Sequence, residues 1–152
     1  MFLFVMFVLI SFSSFGQAIF PIDEKGEIVY SGVVNVDSIN SKELYVRAHE
    51  WFANTFKSAK DVIQLDDKEA GKIVGKGGFE VHENVMIVHV EFTAKIETKN
   101  EKYKYVFSNF SYKDYLLEEI TFNVSDAQNL NTKILNIIDG LKKSMNTNTN
   151  NW

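Results

Sequence analysis

The sequence predicts an α+β domain: an antiparallel sheet of five or six strands with two helices on one face, in the order strand, helix, run of strands, helix. Three observations carry this. Apolar residues recur at helical spacing in two separate stretches, near 41–57 and 125–141, and alternate in the segments before and between them. Neighbouring alternating segments fold onto each other as hairpins with apolar side meeting apolar side. The 152 residues are 45% apolar and 24% charged, enough for one domain with a core of its own, and no cysteine is present to form a disulfide framework.

The elements follow in chain order. Met1 to Ile10 is an unbroken apolar run, small residues Ser14 and Gly16 come next, and no ionisable side chain precedes Gln17. This is the pattern of a secretory signal cleaved before Gln17, and it falls short of the ~20 apolar residues that span a bilayer. The expected organisation is a signal peptide over 1–16, a single domain over 17–145 and a disordered Asn/Thr tail over 146–152, with a periplasmic or secreted location and no transmembrane span after cleavage. Glu27 to Asp37 alternates and is rich in Val, which suits a pleated strand. Asn40 and Glu43 then make a capping box, with Ile39 set to staple onto Leu44. A helix over Ser41 to Lys57 follows, its apolar stripe Leu44, Ala48, Trp51, Phe52 and Phe56, its polar face Glu43, Arg47, Glu50, Asn54 and Lys57.

Strand signals return at Asp61 to Leu65, Gly71 to His82, Val85 to Thr98, Lys102 to Tyr112 and Leu116 to Asn123. A two-residue turn at Glu83-Asn84 sets Val81 against Met86 and Phe79 against Val88. A second at Asn100-Glu101 sets Ile96 against Tyr105, Ala94 against Phe107 and Glu97 against Lys104, so each face stays chemically uniform. Ser125 with Gln128 makes a second capping box ahead of the stripe Leu130, Ile134, Ile137, Ile138 and Leu141. Each helix has one stripe to bury, so both belong on the same side of the sheet.

No catalytic constellation emerges. His49-Glu50 opens like a zinc-protease helix, but Ala53 stands where the second His belongs, and His82 and His89 pair with no further ligand. Gly71 to Gly78 lacks the glycine spacing of a phosphate loop because Lys76 takes the second Gly position; Gly75 and Gly77 are read instead as room for Trp51. Asp66-Asp67 reads as a solvated turn, and no Gly-x-Ser-x-Gly elbow occurs. No catalytic residue, metal or cofactor is expected, and a net charge of -4 with Arg47 as the single Arg disfavours nucleic acid.

Four segments carry a family likeness: Ile28-Val29-Tyr30-x-Gly32-Val33-Val34, the helix Leu44-Tyr45-x-Arg47-Ala48-x-Glu50-Trp51-Phe52, the stretch Ile63 to Gly77, and the strands after it. From about Phe20 to Leu141 the chain resembles an exported domain-of-unknown-function family of Bacteroidota with a TATA-box-binding-protein-like fold. The resemblance implies one half of such a fold and an exported location, and it brings no catalytic residue and no DNA function. Asp37-Ser38-Ile39 also resembles the short acceptor pattern for O-linked glycans on exported proteins of that phylum. The functional expectation is a non-catalytic binding or interaction module acting through the face of the sheet that the helices leave open. Its candidate residues are Lys76, Ile87, His89, Glu91, Lys104, Phe110 and Tyr112, and its partner an envelope protein, a small ligand or a second copy of the chain. A small periplasmic hydrolase with an unrecognised site is the alternative.

Overall fold

The computed structural model describes residues 20–56, 62–83, 86–114 and 124–147. Among these residues the elements run in the order β1 (Tyr30–Asn35), α1 (Ser41–Thr55), β2 (Ile63–Asp67), β3 (Lys72–Glu83), β4 (Met86–Lys99), β5 (Lys102–Asp114) and α2 (Val124–Asn146). The sheet is antiparallel with spatial order β1-β5-β4-β3-β2. Helix α1 carries the chain from one edge strand to the other, and the meander β2 to β5 walks back until β5 lies beside β1. The expected strand at Leu116 to Asn123 and the tail from 148 onward lie outside the described residues, as do the side chain of Ser125 and its cap.

Helix α1 starts where its cap predicts. The Asn40 side chain accepts from the Glu43 amide at 2.9 Å, satisfying one of the donors that a helix start leaves without a partner. The buried stripe is Leu44, Ala48, Trp51 and Phe52, joined by Tyr45 and by Arg47. Arg47 corrects the sequence reading, which set it on the polar face. It is 2% exposed, its Nε donates to Glu43 at 3.0 Å, and its Nη1 donates to the Met145 carbonyl in the last turn of α2 at 2.8 Å. The single guanidinium thus satisfies a helix C-terminal carbonyl, where a positive charge is favoured, and ties the two helices together.

Both helices cover the same face. Trp51 meets Phe107 edge-on with centroids 6.0 Å apart, Phe56 lies 6.0 Å from Phe92, and Lys142 of α2 sits over the Tyr105 ring. The Tyr30 hydroxyl donates to Asn131 of α2. The core beneath them is Ile73, Val81, Val88, Val90, Phe92, Ala94, Ile96, Tyr103, Tyr105 and Phe107, closed by Leu130, Ile134, Ile138, Leu141 and Met145. Gly75 and Gly77 do make room for α1, for different rings from the one expected. A Cβ at Gly75 would stand 2.6 Å from Phe52, and one at Gly77 2.5 Å from Phe92 and 2.7 Å from Phe56.

Two registers depart from expectation in instructive ways. The β4–β5 hairpin pairs as predicted, with Ile96 opposite Tyr105 and Glu97 opposite Lys104. The β3–β4 hairpin is displaced by two residues, so that Val81 meets Val88, Phe79 meets Val90 and pairing runs out to Glu83 opposite Met86. A displacement of two leaves every side chain on its face, so face chemistry cannot distinguish the two pairings. The second departure does change faces. Between Thr93–Ser108 and Glu91–Ser111 the partner strand gains one residue, and Asn109 takes φ 54 there. Phe92 therefore faces Asn109 and Phe110 together, a β-bulge, and the alternation of β5 is inverted beyond it.

Candidate functional site

The open face of the sheet is built from the side chains that alternate with the core. Reading across the strands, Leu65, Val74, Lys95, Val106 and Ser31 form one row, and Asp67, Lys72, Glu97, Lys104 and Val33 the next. Beyond these, Lys99 stands directly opposite Lys102, beside Asn35. Asp67, at the sheet edge, faces Lys72, and Glu97 is the acid between Lys72 and Lys104. It accepts from Lys95 at 2.8 Å, and that hydrogen bond, followed by the fields of Lys95, Lys104 and Lys72, holds its carboxyl below the usual range. Val33, Glu97, Lys99, Lys102, Tyr103 and Lys104 line a recess of about 360 Å³ at this corner.

The turn carrying the corner is fixed to the connection between β1 and α1. The Val36 amide donates to the Glu101 carbonyl at 2.8 Å, the Glu101 amide to the Ile39 carbonyl at 2.8 Å, and the Ser41 amide to Asn100 Oδ1 at 2.9 Å. Glu101 holds φ 61, and its carboxylate accepts from the Ser38 amide at 3.4 Å. Ser38 itself is exposed in that connection at φ 64.

The structure separates the residues that the sequence placed together. Lys76 and Lys104 are exposed on the open face, and His89 and Glu91 are half-buried there, His89 opposite Glu80 and Glu91 opposite Gly78. Ile87 pairs with His82, and its side chain lies outside the described residues. Phe110 and Tyr112 lie on the covered face, a correction that follows from the bulge at Asn109. Phe110 packs 5.9 Å from Tyr30 and 5.8 Å from Phe92, and Tyr112 packs against the same core. The rows around Glu97 went unassembled as a site, although the pairing of the second hairpin already sets Glu97 by Lys104 and Lys99 by Lys102.

A second cluster lies at the other margin of the covered face. Asp66 is in strand β2 rather than in a turn, and it accepts from the Tyr45 hydroxyl and pairs with His49 Nε2 at 3.1 Å. The Tyr45 hydrogen bond, then that of His49, lowers the Asp66 carboxyl, while burial and the Asp66 contact push the Tyr45 phenol up to about 12. No sequence signal joins these residues, because a register shift between Ile63 and Leu65 decides which face of β2 Asp66 takes. A separate recess of about 480 Å³ near the C-terminus of α1 includes His89, Glu80, Phe56 and Val62 in its lining. Among the described residues no group of three or more His, Asp or Glu side chains is gathered as metal ligands would be, and no helix is long and apolar enough to cross a membrane.

A five-stranded antiparallel sheet with two helices on one side and, among the described residues, an open opposite face defines an α+β domain of the TBP-like class. Residues 30–113 match the family model described as a domain of unknown function (DUF4468) with TBP-like fold, and the chain belongs to that family. Its fold is similar to the crystal structure of a DUF4468 family protein from Bacteroides ovatus, at TM-score 0.67 and 13% identity, over 90% of this chain and 95% of that one. It is also similar to a TBP-like protein from Parabacteroides distasonis, at TM-score 0.65 and 14% identity, over 84% of this chain and 97% of that one. At these identities the likeness is one of fold. No curated protein matches the chain.

Proposed function

We propose that the protein is an exported, non-catalytic binding module that engages its partner through the open face of the sheet. The observation that supports this reading is the composition of that face. Exposed Leu65 and Val33 and half-buried Val74 and Val106 stand among Lys72, Lys76, Lys95 and Lys104, a mixture of apolar and charged groups suited to a partner surface. The test compares the parent with Val74→Asp and Val106→Asp, which change the face without touching the core, and with Lys133→Glu on α2 as a control. One envelope component retained by the parent and the control and lost by both Asp variants supports the reading; equal retention by all four overturns it. N-terminal sequencing of the protein from its native host tests export, with Gln17 as the expected first residue and an intact Met1 as the refuting result.

A hydrolase reading draws on the His49–Asp66 pair, since an acid that orients an imidazole is part of many hydrolytic sites. Tyr45, the hydroxyl nearest to hand, donates to Asp66 rather than to His49. Turnover of a nitrophenyl ester or phosphate panel by the parent, lost in His49→Ala, would favour this second reading over the first.

A further inference from the structure

We propose that the lysine corner around Glu97 is a binding site for a phosphate-bearing sugar. Several observations support it. Lys99 and Lys102 face each other directly across the hairpin, with Lys104 one pair further on, in a chain whose net charge is -4; Lys72, by contrast, stands between Asp67 and Glu97, and Lys95 is tied to Glu97. Among the described residues Lys99, Lys102 and Lys104 end in no ion pair, so their charge is available to a ligand. Like charges directly opposite destabilise a sheet pair, and a bound anion relieves that repulsion.

The remaining observations bear on the rest of the ligand. The recess of about 360 Å³ is larger than a bare phosphate fills. Its wall includes Val33, which is 63% exposed and offers an apolar surface to the C–H face of a sugar ring. Glu97, whose Oε1 accepts from Lys95, keeps its other oxygen for a sugar hydroxyl. The hydrogen bonds from Val36, Glu101 and Ser41 fix the turn in advance, so ordering it costs little on binding. Lysine suits the task as a compact point charge toward phosphate.

This inference rests on the open face being the binding face, but it concerns the corner and not the central Val74 and Val106. The isotope-labelled protein is titrated with glucose 6-phosphate and followed by amide NMR shifts. Inorganic phosphate, glucose, phosphatidylglycerol vesicles and a single-stranded oligonucleotide are run in parallel. The expected result is saturable shifts confined to residues 33–35 and 95–104, and affinity at least about tenfold above that for inorganic phosphate or glucose. Lys99→Gln/Lys102→Gln, shown to be folded by its spectrum, should lose that affinity about tenfold. Any of four results overturns the proposal: no shift up to about 10 mM ligand, equal affinity for inorganic phosphate, unchanged binding by the double variant, or stronger binding to vesicles or oligonucleotide. Were the proposal to fail while Val106→Asp still lost the envelope component, the binding-module reading would stand without it.

Discussion

Phe110→Ala is the most informative single change, because its effect depends on which face of β5 the residue occupies. On the open face, truncation would remove an exposed ring at a cost of a few tenths of a kcal/mol, within the range of ordinary surface changes. On the covered face the ring packs edge-on to Tyr30 at 5.9 Å and tilted against Phe92 at 5.8 Å. Each such pair contributes about 0.5–1.5 kcal/mol, and the partly lost burial of the ring adds about 1–2 kcal/mol. The expected destabilisation is therefore about 3 kcal/mol, which for a domain of this size lowers the Tm by roughly 10 °C. Urea unfolding followed by circular dichroism measures it, with Val106→Ala, on the open face of the same strand, as the internal control. A Phe110→Ala midpoint no further displaced than that of Val106→Ala would refute the bulge and the inverted alternation it produces.

Arg47→Ala should destabilise by about 3 kcal/mol, since it strips a charged hydrogen bond from the Met145 carbonyl and leaves the space of a buried stem; Arg47→Met should recover the packing share alone, as chemical unfolding would show. The lowered Asp66 carboxyl contributes stability that is present above its unfolded value of ~3.9 and lost as the pH falls toward its lower folded value. The stability gap between the parent and Asp66→Asn should thus narrow from about pH 5 downward, and a gap independent of pH would contradict the assignment. Gly77→Ala should cost about 1–3 kcal/mol by forcing Phe56 and Phe92 apart, readable as a drop in Tm without loss of secondary structure. Lys102→Gln should instead raise stability by about 0.2–1 kcal/mol at low salt, a gain that fades near ~1 M salt as the Lys99–Lys102 repulsion is screened.

Much of the fold was legible in the sequence because its signals are local. The Asn40 cap, the stripe from Leu44 to Phe52 and the two-residue turn at Asn100-Glu101 each involve residues within a few positions of one another, where spacing alone fixes geometry. What was missed depends on events that spacing does not record. The bulge at Asn109 adds one residue to β5 and moves Phe110 and Tyr112 across the sheet, yet strict alternation from Lys102 to Tyr112 reads as an acceptable strand without it. Arg47 looks like a surface charge until α2 places the Met145 carbonyl against it, 98 residues away. The same holds for the site: Lys104 and Glu97 were paired by arithmetic within one hairpin, whereas Asp66, Tyr45 and His49 meet only through tertiary placement.

The position of the lysine corner follows from how the domain is assembled. Both helices lie on one face, so each strand has one set of side chains in the core and another that no described helix covers, and that second set is under less packing constraint. Ordinary selection for solubility would intersperse charges of both signs there. Across one row the signs do alternate, Asp67, Lys72, Glu97 and Lys104, but in the row beyond it Lys99 and Lys102 stand together beside Asn35 with no acid among them. At that end the Glu101 backbone is held by Val36 and Ile39, and its carboxylate accepts from the Ser38 amide. A hairpin whose last cross-strand pair is Lys99 against Lys102 sacrifices local stability for positive potential at a fixed point. Such a concentration of like charge on a rigid turn is explained by an anion that it holds, and it does nothing for the fold that Glu or Thr at either position would not do better.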